Sequence, residues 1–222
     1  MFNVAIDGPA GAGKSTIAKM VAKKLGFIYV DTGSMYRAMA LACIRAGVKA
    51  DDKEAVCNVC KDLDVSLQYD ENGAQQVILN GENVNAYIRT EEVGNMTSAI
   101  AVYGPVREKL VELQRKLATK YDIIMDGRDI GTCVLKDAPV KIYLTASSRT
   151  RAERRYRELT EKGVECNLDD IEKDIIDRDY RDMNREISPL KQAEDAVLVD
   201  SSNMSIDEVV NTLINIIEDA RK

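Results

Sequence analysis

Gly8 to Ser15 reads G-P-A-G-A-G-K-S, and each residue type in that run has a use around phosphate. Gly8, Gly11 and Gly13, with Pro9, Ala10 and Ala12 between them, permit a tight loop whose backbone N–H groups turn inward onto an anion. Lys14 adds positive charge for β- and γ-phosphates. The hydroxyl of Ser15, followed by that of Thr16, suits a nucleotide-bound Mg²⁺. This P-loop pattern is meaningful only between a strand and a helix. Phe2, Val4, Ala5 and Ile6 predict the strand, and the apolar and basic alternation predicts a helix over Lys14–Leu25, whose N-terminal dipole adds to the anion site.

A second group of chemically able residues lies in the middle of the chain. Ile123, Ile124 and Met125 predict a buried strand ending at Asp126, followed by Gly127, Arg128 and Asp129. Carboxyl ends of parallel strands are where such sheets bind ligands, so Asp126 is a candidate for the Mg²⁺ shell through a water, and Arg128 and Asp129 point to the same crevice. Farther on, Arg149, Arg151, Arg154, Arg155 and Arg157 crowd one helical stretch, and Arg178, Arg181 and Arg185 another. Glu153, Glu158, Asp170, Asp174, Asp177, Asp179 and Asp182 alternate with them. A salt-bridged, solvated helix pair accounts for most of these charges. A glycine-joined, apolar-poor pair also suits a mobile lid carrying Arg over phosphates.

The elements that must position these groups follow from periodicity. Phe27 to Asp31 predicts a second buried strand, Thr32 to Ile44 a helix stopping at Gly47, and Asp51 to Leu63 another helix. Arg37, in the first turns, is read either as a solvated side chain or as one facing an anion. Alternation at Val65, Leu67, Tyr69, Val77 and Leu79, with turns at Glu71-Asn72-Gly73 and Asn80-Gly81, predicts a small antiparallel sheet too apolar-poor to stand alone. Thr90 opens a helix to Ile100, Gly104-Pro105 breaks it, and Val106 to Lys120 continues. Val140–Leu144 and Val197–Asp200 are further strands; Ser147–Lys162, Leu168–Met183 and Ser205–Arg221 are helices. Strand, loop, helix and strand in succession predict an α/β fold with a five-stranded parallel sheet.

Composition excludes several functions. A net charge of −6 and pI near 5.0 argue against bulk nucleic-acid binding. No apolar run approaches membrane-spanning length, and Asp7 interrupts the N-terminal one, so no membrane association and a cytoplasmic location are expected. Five cysteines and no histidine argue against a disulfide framework, leave Cys57-x-x-Cys60 without zinc partners, and remove the usual general base. A GTPase needs a guanine-selective N-K-x-D, which is missing. A purely regulatory nucleotide-binding module does not need so many dispersed arginines. A small-molecule kinase does, because its transition state spreads negative charge that arginine forks complement. If the acceptor is a phosphate, no base is required; an alcohol acceptor would call on Asp31 or Asp129.

Ile6–Thr16 (I-D-G-P-A-G-A-G-K-S-T), Asp31–Arg37 (D-T-G-S-M-Y-R), Asp126–Thr132 (D-G-R-D-I-G-T), Asp137–Ser147 (D-A-P-V-K-I-Y-L-T-A-S) and the R-D-x-R-D-x-N-R segment Arg178–Arg185 together resemble the bacterial cytidylate kinases. The resemblance runs from first strand to last helix, hairpin insertion included. It implies a P-loop nucleoside monophosphate kinase fold in one domain, 1–222. Within it lie a monophosphate-binding region near 32–107, a β insertion at 64–86 and a helical lid near 149–178. It implies ATP and CMP or dCMP as small-molecule substrates, Mg²⁺ with the ATP, and a monomer. By motif position Ser98, Arg107 and Asp129 match cytosine contacts, and Thr32, Arg37 and Arg128 the acceptor phosphate. Asp182, Arg178 and Arg185 match the sugar and phosphate, and Arg154 and Arg155 the transition-state charge.

Overall fold

The computed structural model describes residues 1–71 and 73–222; Asn72, expected in the Glu71-Asn72-Gly73 turn, lies outside the described residues. In chain order, β1 (Asn3–Asp7), α1 (Lys14–Leu25) and β2 (Ile28–Asp31) lead into α2 (Thr32–Arg45) and α3 (Lys53–Lys61). Three short strands follow, β3 (Val65–Tyr69), β4 (Gln75–Leu79) and β5 (Glu82–Asn83), then α4 (Glu91–Ile100) and α5 (Gly104–Ala118). The chain continues through β6 (Ile123–Gly127), a π-helical turn Ile130–Val134, β7 (Val140–Thr145), α6 (Ser148–Glu161), α7 (Leu168–Asn184), β8 (Val197–Asp200) and α8 (Ile206–Ala220). It divides into two compact units, Met1–Tyr29 with Tyr121–Lys222, and Val30–Lys120.

The first unit is built on a sheet of order β2-β6-β1-β7-β8. Strand β1 lies parallel to both β6 and β7, and β8 runs parallel to β7. Continuous apolar runs suit strands covered on both faces. Val4, Ile6, Ile124, Ile142 and Leu144 are buried with Ile17 and Val21 of α1 and with Val210, Leu213 and Ile217 of α8. Each such side chain contributes about 1.5–3 kcal/mol when withdrawn from water. At α8, Ser205 and Glu208 form a reciprocal capping box, which satisfies two otherwise orphaned N–H groups.

In the second unit, α2, α3, α4 and α5 share a core that includes Met35, Met39, Val56, Ile88, Ile100 and Leu110. The antiparallel sheet β3-β4-β5 contributes Val65, Val77 and Leu79 to that same core. It has no interior of its own, as its few apolar residues require.

Two local features differ from the sequence reading. Gly104-Pro105 opens α5 rather than interrupting a helix, because proline's missing N–H is unpaired in a first turn anyway. Ile130–Val134 is a π-helical turn, a segment to which the sequence reading assigned no element. The thiols are free, buried at Cys43 and Cys60 and half-buried at Cys57, Cys133 and Cys166; Cys60 meets Cys43 across 3.7 Å.

Candidate active site

The phosphate loop is locked to the sheet at Gly8. Its φ is +147°, and a Cβ there would stand 2.0 Å from the Leu144 carbonyl oxygen of β7, so only glycine lets the loop leave β1 this close to its neighbour. Gly13 is the N-cap of α1 in left-handed conformation, with no side-chain cap and no acidic residue in the first turn. Both absences suit an anion at this helix end. Pro9 and Ala12 are buried, and Thr16 is exposed.

Lys14 is buried and donates from Nζ to the carbonyl oxygens of Gly8 and Pro9, each at 2.7 Å. Burial, followed by the nearby Arg128 charge, pushes its ammonium pKa down to about 7 against the pull of Asp126 and Asp7. Beside it, Ser15 Oγ donates to Asp126 Oδ2 at 2.8 Å, and the Tyr29 hydroxyl donates to Asp126 Oδ1 at the same length. This all-oxygen donor set fits Mg²⁺, which binds few protein oxygens and keeps several waters.

Asp7, at the end of β1, had no assigned role in the sequence and proves to organise the next element. Its Oδ1 accepts from Ile130 N at 2.8 Å and its Oδ2 from Gly131 N at 2.7 Å, anchoring the π-helical turn that follows Asp129. Burial raises the Asp7 pKa to about 6, with the two N–H groups opposing. Asp129 is itself buried and lies 3.8 Å from Arg185 Nη2. Arg128 donates from Nε to Asp182 Oδ2 at 2.9 Å. Arg178 is half-buried on the same helix, α7.

The two arginines assigned to transition-state charge part company. Arg154 donates to the Ser201 carbonyl at 2.8 Å, and its Nη1 lies 3.9 Å from where a Cβ of Gly13 would be, which places it at the phosphate loop. Arg155 is exposed and paired with Glu158 at 2.8 Å. Arg151, read only as one of many lid charges, is buried and donates to the Ala10 carbonyl of the loop at 2.9 Å.

In the second unit Thr32 is buried at the start of α2. Arg37 is partly buried and donates to the Ile88 carbonyl at 2.9 Å. Its guanidinium lies 3.5 Å from where a Cβ of Gly94 would stand, so α4 admits it through a glycine. Ser98 Oγ bonds back to the Gly94 carbonyl at 3.2 Å, and buried Arg107 lies 6.0 Å from the Tyr36 ring centroid. Burial, then the adjacent Arg89 charge, depresses the Arg37 guanidinium against the pull of Asp31. Arg89 was not predicted; its Nη2 donates to Asp31 Oδ2 at 2.8 Å. Burial would raise the Asp31 carboxyl, but hydrogen bonds from Ser34 and the Arg89 charge outweigh it and hold the group below the usual range.

The family model described as "Cytidylate kinase" matches residues 4–219. A cytidylate kinase of Lactobacillus johnsonii is 50% identical over 222 residues, covering 100% of this chain and 96% of that protein. One of Clostridium acetobutylicum is 51% identical over 216 residues, covering 97% of each. The fold is shared more widely. An uncharacterized protein from Eubacterium ventriosum superposes with a TM-score of 0.52 at 14% identity, covering 98% of this chain and 99% of its own. With a phosphate loop, a buried lysine and full-length identity of this order, the chain belongs to the cytidylate kinase family of nucleoside monophosphate kinases.

Proposed function

We propose that this kinase transfers the γ-phosphoryl group of ATP to CMP and dCMP by in-line displacement, releasing ADP with CDP or dCDP. The observation that carries the reading is the buried Lys14 ammonium beside an uncapped helix start and the Ser15–Asp126 pair. Gly8 to Thr16 hold the triphosphate through backbone N–H groups, and Lys14 exchanges carbonyl partners for β- and γ-oxygens. Ser15 would hold Mg²⁺ directly and Asp126 through a water; when bound, the ion neutralises charge on the β- and γ-phosphates.

On the acceptor side, Thr32, Arg37, Arg128, Arg178 and Arg185 neutralise the monophosphate, with Asp182 at the sugar. Ser98, Arg107 and Asp129 read the base: Asp129 accepts from the exocyclic amine, and Arg107 donates to N3 and O2. Uracil reverses the hydrogen-bonding sense at two of those atoms and leaves buried partners unpaired. Arg128, Arg154 and Arg155 complement charge on the group in flight; Arg155 must first leave Glu158. A monophosphate oxygen is already anionic, so alignment and charge replace a general base. The depressed Asp31 carboxyl makes it a poor base for an alcohol acceptor.

Residues 32–107, with the 64–86 insertion, form the monophosphate-binding region in this reading, and 149–178 the lid of a single-domain monomer. The net charge of −6 supports an enzyme that does not bind nucleic acid, and the reading takes it as cytoplasmic and free of membrane. No helix among the described residues is long and apolar enough to cross a bilayer. The test is an ADP-release assay with CMP, dCMP, UMP, AMP, GMP and shikimate in turn. CMP and dCMP should turn over well and UMP poorly; no turnover with either cytidine nucleotide would overturn the proposal.

A further inference from the structure

Helix α7 has no fully buried residue; Leu168, Ile171 and Ile175 are half-buried and it packs principally on α6, so charged contacts share in setting its position. Arg149 meets Asp169 at 2.7 Å and Glu172 at 3.0 Å, but Arg149 is 48% and Asp169 83% exposed, so water screens these pairs.

Arg151 is different. It is 5% exposed, and each guanidinium nitrogen donates: Nε to Ala146 O at 2.9 Å, Nη1 to Ala10 O at 2.9 Å and Nη2 to Asp179 Oδ2 at 2.6 Å. These acceptors belong to the segment after β7, the phosphate loop and the body of α7. Asp179 spends its contact here alone among the described residues, since its Oδ1 is buried and accepts no hydrogen bond. Because a planar guanidinium cannot slide without losing at least one acceptor, a shift of the Ala10 carbonyl is passed to Asp179. One helical step farther, on the same face, Asp182 meets Arg128, and Arg185 beyond it meets Asp129.

We propose that Arg151 and Asp179 are positioning residues forming a latch, through which triphosphate on the phosphate loop fixes α7 and so sets Asp182 and Arg185 for the acceptor nucleotide. This rests on the phosphoryl-transfer reading above. Neither residue touches a substrate; each acts through the loop or through α7. An ion pair serving only to stabilise the fold would leave the affinities for the two nucleotides uncoupled.

Arg151→Met alone strands a buried carboxylate and can unfold the chain, so the informative variant is the apolar pair Arg151→Met with Asp179→Leu. In the unaltered protein, a non-hydrolysable β,γ-imido analogue of ATP should tighten CMP binding about fivefold or more. The analogue alone, without CMP, should slow hydrogen exchange along α7. In the paired variant, with a near-normal melting temperature and analogue affinity, both effects should vanish. Full coupling and full protection in that variant, or neither effect in the unaltered protein, would overturn the latch. If CMP binds neither protein while the analogue still protects α7 only in the unaltered one, the latch stands and the acceptor assignment falls. Should the paired variant fail to fold, Asp179→Leu alone, which removes the acceptor, is read the same way, and undiminished coupling in it also overturns the proposal.

Discussion

The Ser15 hydroxyl at the start of α1 and the Asp126 carboxylate at the end of β6 share a 2.8 Å hydrogen bond across 111 residues of sequence. Tyr29 holds the other carboxylate oxygen, so the hydroxyl and carboxylate suited to Mg²⁺ are fixed side by side. Removing such support around a metal typically costs about 10- to 100-fold. Asp126→Asn should therefore lower kcat by that order and raise the Mg²⁺ concentration for half-maximal rate, with Tyr29→Phe milder in the same direction. Rates across a Mg²⁺ titration check this; an unchanged Mg²⁺ requirement in both variants would count against it.

Lys14 makes a prediction about protons. Its ammonium pKa is pushed down to about 7, and a bound triphosphate should bring it back up. Binding near pH 8 then takes up a proton, and affinity weakens as pH climbs above about 7. Because the folded pKa lies below the unfolded one, the unfolded chain holds more protons between them, so stability from this group rises from about pH 7 toward 10.5. Calorimetry of ATP binding in buffers of differing ionisation enthalpy reads the uptake directly. Lys14→Met should abolish the uptake and reduce turnover about 100- to 1,000-fold with the fold intact.

The opposite slope is expected from Asp7. Its pKa is raised from 3.8 to about 6, so the folded state holds the extra proton in that window and stability falls as pH rises through it. Asp7→Asn should flatten that slope. It should also lose about 1–3 kcal/mol, because an amide cannot accept both N–H groups of the π-helical turn. Thermal melts from pH 4 to 7 measure both effects.

Gly8→Ala tests the loop's close approach to β7. With a Cβ directed to within 2.0 Å of Leu144 O, backbone must move, and a loss of about 3 kcal/mol or more is expected. Chemical denaturation would reveal it, and a variant as stable as the parent would contradict the packing described for β1 and β7.

What was legible beforehand was local. Helix α1 runs from Lys14 to Leu25 and α7 begins at Leu168, as periodicity and turn residues indicated. The π-helical turn was invisible because Asp7, 123 and 124 residues away from the groups it binds, holds it in place. Arg151 and Asp179 resemble their charged neighbours in sequence, and only burial separates them. Arg89 has no local mark either, since its partner Asp31 lies 58 residues earlier. Cys60 forms a C-x-x-C with Cys57, yet its sulfur neighbour is Cys43 from another helix. Pairings between distant segments carry no periodic trace, whereas the phosphate loop is read from contiguous residues.

The most direct measurement follows the phosphorus itself. With γ-labelled ATP, Mg²⁺ and CMP, the account predicts that label leaves ATP and appears at the β-phosphate of CDP, that dCMP behaves likewise, and that Lys14→Met slows the transfer about 100- to 1,000-fold. Label recovered only as inorganic phosphate, or delivered to UMP as readily as to CMP, would contradict it.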